Sequence, residues 1–60
     1  MTTTMTLDYA KISPSVLANR IERDFNCFCF YHDMNEDRFS FTVTECDNLE
    51  AVNRILEAYK

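Results

Sequence analysis

Sixty residues with a formal charge of −4, of which 47% are hydrophobic and 13% aromatic, exclude several classes at once. Such a chain has room for one small domain, here taken as residues 1–60, and is too apolar to remain disordered. With a mean hydropathy of −0.30 and no apolar run of about 18 residues it is not built to span a bilayer, and with no glycine it has no phosphate-cradling loop.

The first segment, Thr2 to Tyr9, alternates Thr3, Met5, Leu7 and Tyr9 with Thr2, Thr4, Thr6 and Asp8, the pattern of a half-buried strand rich in β-branched residues. Met1 to Thr6 lacks the basic start and apolar core of a secretory signal, so a cytoplasmic address is expected. Ser13-Pro14 is a helix start, with a hydroxyl able to cap and a proline where no donor is needed. The spacing predicts a helix from Pro14 to about Asp24, with Leu17 and Ile21 on the packed face, Val16 and Phe25 extending it, and Asn19, Arg20, Glu22 and Arg23 largely in water.

Asn26 to His32 and Arg38 to Thr44 predict a β-hairpin joined by a polar connection, Asp33 to Asp37. The second strand alternates cleanly, with Phe39, Phe41 and Val43 inward. The first does not: Phe28, Phe30 and His32 occupy one side, and Cys27, Cys29 and Tyr31 the other. Both sides are apolar or nearly so, and which of them is buried stays open. Asp47-Asn48-Leu49-Glu50 resembles a capping box, opening a helix to about Tyr59 with Leu49, Val52, Ile55, Leu56 and Tyr59 as its stripe.

The order β-α-β-β-α predicts an α+β fold. A crossover through the first helix makes the first two strands parallel, the third lies antiparallel between them, and both helices cover one face. This is a split β-α-β arrangement without its fourth strand.

Several chemistries can be weighed. Asp33, Asn35 and Asp37 imitate the opening of a calcium loop, but Arg38 stands where such a loop needs glycine and Thr44 where it needs a bidentate glutamate. Cys27, Cys29, His32 and Cys46 could offer three sulfurs and a nitrogen to zinc, yet two of the cysteines sit inside a strand with His32 on its opposite side. The same geometry separates His32 from Cys27 and Cys29 as base and nucleophile, leaving only Cys46. No catalytic, cofactor or metal residue is therefore expected, and the odd cysteine count points to reduced thiols. An aromatic platform for single-stranded nucleic acid would come with basic residues, whereas Asp33, Glu36, Asp37, Glu45, Asp47 and Glu50 surround Arg38 alone.

Two helices shelter one sheet face, so the other should meet a partner. The sequence thus predicts a non-enzymatic protein-interaction module, an inhibitor or regulator, that binds another protein and self-associates as a homodimer through the open sheet face or an edge strand. Its expected contact residues are Asp33, Glu36, Asp37, Glu45, Asp47, Cys27, Cys29 and Tyr31. One alternative is a nucleic-acid mimic that fills the basic groove of a nucleic-acid-handling protein. The other is direct nucleic-acid binding through Lys11, Arg20 and Arg23, which the net acidity disfavours.

Overall fold

A computed structural model describes residues 2–60. Its strands and helices follow one another as β1 (Thr2–Asp8), α1 (Pro14–Asp24), β2 (Phe28–Asp33), β3 (Arg38–Thr44) and α2 (Leu49–Glu57). The fold is α+β, a three-stranded sheet in the order β1-β3-β2 with both neighbouring pairs antiparallel. The central strand is β3, and β1 and β2 therefore run parallel on either side of it, as the crossover argument requires.

Individual hydrogen bonds fix which way each strand points its backbone. In an antiparallel ladder, alternate residues turn N–H and C=O to the same side. The Tyr9 N–H donates to the Asp37 carbonyl at 3.0 Å, towards β3, while the Asp8 N–H donates to the Tyr59 carbonyl at 2.9 Å, away from it. The amides of Leu7, Met5 and Thr3 thus face β3, and those of Thr6 and Thr4 face outward. On β2, Met34 N–H donates to the Arg38 carbonyl at 3.1 Å, whereas Cys29 N–H points off the edge to the Glu22 carboxylate at 2.9 Å. Glu22 so occupies a donor that an edge strand would otherwise leave free to pair with another chain.

The helices cover one side of this sheet. Leu7, Cys29, Phe39, Phe41 and Val43 meet Leu17, Ala18, Ile21, Val52 and Leu56 in a continuous core, with Cys46 at its margin. Phe39 and Phe41 are fully buried, edge to face with ring centroids 6.3 Å apart; burial of each such side chain contributes about 1.5–3 kcal/mol. Val16 does not extend the helix stripe. It is half exposed, because Leu17, Ala18 and Ile21 carry the buried face and Val16 lies about 100° round the helix from Leu17.

The helix starts also differ in detail from expectation. Ser13 stands at the cap of α1 but its hydroxyl makes no cap bond, lying instead 3.2 Å from the Ser15 hydroxyl. At α2 the cap is Asn48 rather than Asp47: its side-chain oxygen accepts from the Ala51 N–H at 3.3 Å. With Ala51 as the third helical residue, no carboxylate can return the bond, so the reciprocal box is absent and the helix begins one residue later. Glu45 bridges β3 and this cap with φ 56°, a left-handed conformation that usually falls to glycine or asparagine.

Candidate functional site

The register assigns the uncovered face. Phe28 pairs with Thr44, Phe30 with Thr42 and His32 with Ser40. On the other side of β3, Thr2 pairs with Thr44, Thr4 with Thr42, Thr6 with Ser40 and Asp8 with Arg38. Side chains at paired positions share a face, so these residues form the sheet surface opposite the helices. Phe28 is 55% exposed and Phe30 50% exposed, and their rings lie 6.1 Å apart.

The face has two unlike halves. Along β2 the two phenylalanines form a raised aromatic ridge. Along β1 and β3 runs a shallow band of short hydroxyl side chains: Thr2 and Thr44 hydroxyls lie 3.0 Å apart and Thr4 and Thr42 hydroxyls 3.1 Å apart. These close pairs fall where the backbones do not exchange hydrogen bonds, the position at which antiparallel side chains approach most nearly. At the hairpin end the Thr6 hydroxyl donates to the Met34 sulfur at 3.8 Å, which lays the exposed Met34 across the surface. The ionisable groups of the face are Asp8 and Arg38, 3.9 Å apart, and His32.

Cys27, Cys29 and Tyr31 were expected as contact residues, but they belong to the helix side. Cys29 is buried and Cys27 half-buried, since the pairing of Cys29 with Val43 turns its side chain into the core. Tyr31 also points to that side and stacks on Phe41 with an interplanar angle of 3°, yet remains partly exposed beyond the helices. On the open face the apolar groups β2 leaves in water are Phe28 and Phe30, while Tyr31, 44% exposed, is left in water on the helix side. Two apolar faces on one strand concealed this choice, and nothing in the alternation of β2 itself signals which of them is buried.

The thiols form a small cluster. All three are free, and burial, reinforced by the neighbouring thiol of Cys46, raises the ionisation of Cys27 above its ordinary value. Burial, with Cys27 beside it, pushes the Cys29 thiol up to about 12. Protonated at neutral pH, it acts as a small hydrophobe. His32 lies on the opposite face, far from Cys46 in the core. Among the described residues no group of three or more His, Cys, Asp or Glu side chains is arranged to hold a metal ion.

Two of the three calcium-like side chains, Asn35 and Asp33, are already engaged. Asn35 Oδ1 accepts from the Asp37 N–H at 2.8 Å and from the Arg38 N–H at 2.9 Å, closing the hairpin as an Asx-type turn, and Asp33 accepts the Tyr9 hydroxyl. That bond is also the principal reason the Tyr9 phenol is raised above its ordinary ionisation.

The acids that are close in sequence are divided in space. Asp33, Glu36 and Asp37 cluster at the hairpin turn, whereas Glu45, Asp47 and Glu50 follow the other end of β3. Seven extended residues separate the two groups by about 23 Å. The bases proposed for nucleic acid are each engaged: Arg20 donates to the Tyr59 hydroxyl at 2.9 Å, Lys11 to the Lys60 carbonyl at 2.6 Å, and Arg23 lies 3.3 Å from Asp24.

No protein-family model matches the chain, and neither curated proteins nor solved structures give a match. Among the described residues no helix is long and apolar enough to cross a membrane.

Proposed function

We propose that this chain is a non-enzymatic protein-interaction module whose binding surface is the helix-free face of the sheet. The observation that carries the reading is the pair of half-exposed rings, Phe28 and Phe30, on a face where most other side chains are short and uncharged. A contiguous apolar ridge in water is costly to keep and marks contact with another surface. Its make-up, an aromatic centre with acids beyond both ends, matches the general anatomy of a protein interface with a dry core and a charged rim.

The acids at Asp33, Glu36 and Asp37 on one side and Glu45 and Asp47 on the other speed encounter with a basic partner surface and set its orientation. They do this as a frame around the contact rather than as its centre. A small regulator or inhibitor acting in the cytoplasm fits this make-up, and the three free thiols suit a reducing compartment.

Quantitative capture from native cells tests the proposal. The wild-type chain is compared with Phe28→Ser/Phe30→Ser and with Glu36→Lys/Asp37→Lys/Asp47→Lys. Loss of a partner with the aromatic variant is expected, together with slower association for the charge variant. Capture unchanged by the loss of both rings removes this face as the binding surface.

A further inference from the structure

We propose that Cys27 and Cys46 form a dithiol site that exchanges with small-molecule disulfides and closes to an intramolecular disulfide, with Cys29 left beside it as a buried thiol. The site lies on the helix side of the sheet and is independent of what binds the open face.

The register brings the two cysteines together. The β2–β3 ladder ends where Phe28 pairs with Thr44, and Cys27 is the residue just beyond. It has the parity of Cys29, and its side chain turns to the same helix side, with Sγ 3.9 Å from the Ile21 carbonyl of α1. Strict continuation of the ladder would set Glu45 opposite Cys27. Glu45 instead takes a left-handed backbone, φ 56°, as the first residue of a bulge does, and a bulge sets two residues of one strand against one of the other. Glu45 is thereby exposed to solvent, and Cys46, 9% exposed, takes the inward place facing Cys27. The strained residue thus puts a thiol where regular pairing would put a carboxylate, and Cys27, Cys29 and Cys46 all pack in the one core cluster.

Of the three possible pairs only this one suits a disulfide, which needs Cα atoms about 4.4–6.8 Å apart and side chains that converge. Residues facing each other across an antiparallel pair are about 4.5–5.5 Å apart. Cys27 and Cys29 lie about 6.6 Å apart along one strand with their side chains parallel. Cys29 pairs with Val43, which leaves it about 10 Å along the chain direction from Cys46.

Exposure sets the order of events. Cys27 is half-buried and Cys46 buried, so Cys27 meets the incoming disulfide. Its thiolate attacks one sulfur of glutathione disulfide, forms a mixed disulfide and expels a glutathione thiolate, which takes up the proton that Cys27 lost. The Cys46 thiolate then attacks the Cys27 sulfur and expels the second glutathione in the same way. Two protein thiols are oxidised to one disulfide, and one glutathione disulfide is reduced to two thiols. Burial, then the Cys46 thiol and the Glu22 carboxylate of α1, hold the Cys27 thiol above its ordinary ionisation. Since the thiolate is the reacting form, exchange is slow at neutral pH, and the pair follows a sustained oxidising poise rather than a brief pulse.

Equilibration of the full chain with reduced and oxidised glutathione, then acid quenching, alkylation with N-ethylmaleimide, intact mass and peptide mapping, tests the proposal. A monomeric product with a Cys27–Cys46 bond and an alkylated Cys29 is expected. Its formation constant in buffer should exceed that in concentrated urea at least tenfold, because the unfolded chain must first close a loop of about 20 residues. Cys29→Ser should close as the wild type does, and Cys46→Ser should stop at a glutathione adduct on Cys27, with circular dichroism confirming the fold of both. The wild-type map decides the matter without any substitution. A bond that includes Cys29, glutathione adducts or intermolecular bonds alone, or a formation constant as large in urea as in buffer would each overturn the proposal.

Discussion

Proline placed at successive positions of β1 should divide sharply by parity. Met5 turns its N–H towards β3, opposite Phe41, so Met5→Pro removes a ladder donor, strands a carbonyl in the sheet centre and forces a ring against the neighbouring strand. Together these cost about 3 kcal/mol or more. A domain of this size has a total stability of about 3–9 kcal/mol, so the variant should be largely unfolded or lose most of its resistance to urea. Thr4 turns its N–H outward, where proline is tolerated on an edge strand, and Thr3 before it is already extended as proline prefers. The loss there is confined to the Thr4–Thr42 hydroxyl contact at 3.1 Å, about 0.5–1 kcal/mol. Urea unfolding followed by far-ultraviolet circular dichroism, at a concentration well below any self-association, measures both. Similar midpoints for the two variants, or a larger loss at Thr4, would show that the backbone parity is wrong and with it the assignment of the open face.

Three further outcomes follow from local features. The Cys29 thiol, raised in the fold to about 12 from 9.0, gives stability that is complete below pH 9 and lost as pH rises towards 12, because the unfolded chain releases its proton first. Melting temperatures of reduced protein should therefore be flat up to about pH 9 and fall above it, more gently in Cys29→Val; an equal slope in the variant would assign the loss elsewhere. Glu45→Gly should raise stability by about 0.5–1 kcal/mol by relieving the left-handed backbone at φ 56°, measured as a shift of the urea midpoint; a lower midpoint would contradict this. Asn35→Ala should cost about 1–2 kcal/mol, since one side-chain oxygen serves two turn amides; an unchanged midpoint would show that water replaces both bonds.

Much of the architecture is legible in the residues because two kinds of periodicity are clean. The alternation of β3 and the i, i+4 spacing of Leu17 with Ile21 each admit one packed face, and the element order then leaves β3 only the central place. The face of β2 is not legible by the same means, since phenylalanines on one side and cysteines with a tyrosine on the other satisfy burial equally well. The choice is made by tertiary contacts, in which small thiols fit beneath α1 where Phe28 and Phe30 would overfill the space. The acids mislead for a different reason: nearness along the chain means little once a full strand intervenes. Asp47 misses the cap by one position, the error expected at a helix boundary, and Val16 yields the stripe to Ala18, two positions on.

The central position of β3 also governs the order in which the sheet can assemble. Neither edge strand has a partner until β3 exists, so residues 2–37 cannot form a single rung of sheet during synthesis. The hairpin spans at most 16 residues between paired positions, from Phe28 to Thr44, whereas β1 must close a separation of up to 42, costing about 0.9 kcal/mol more in chain entropy. The rate-limiting step should then find β2 and β3 already joined and β1 still free, so that Asn35→Ala, which loosens the hairpin turn, slows refolding while Thr3→Ala mainly hastens unfolding. Comparable slowing of refolding by both would place β1 in the nucleus instead.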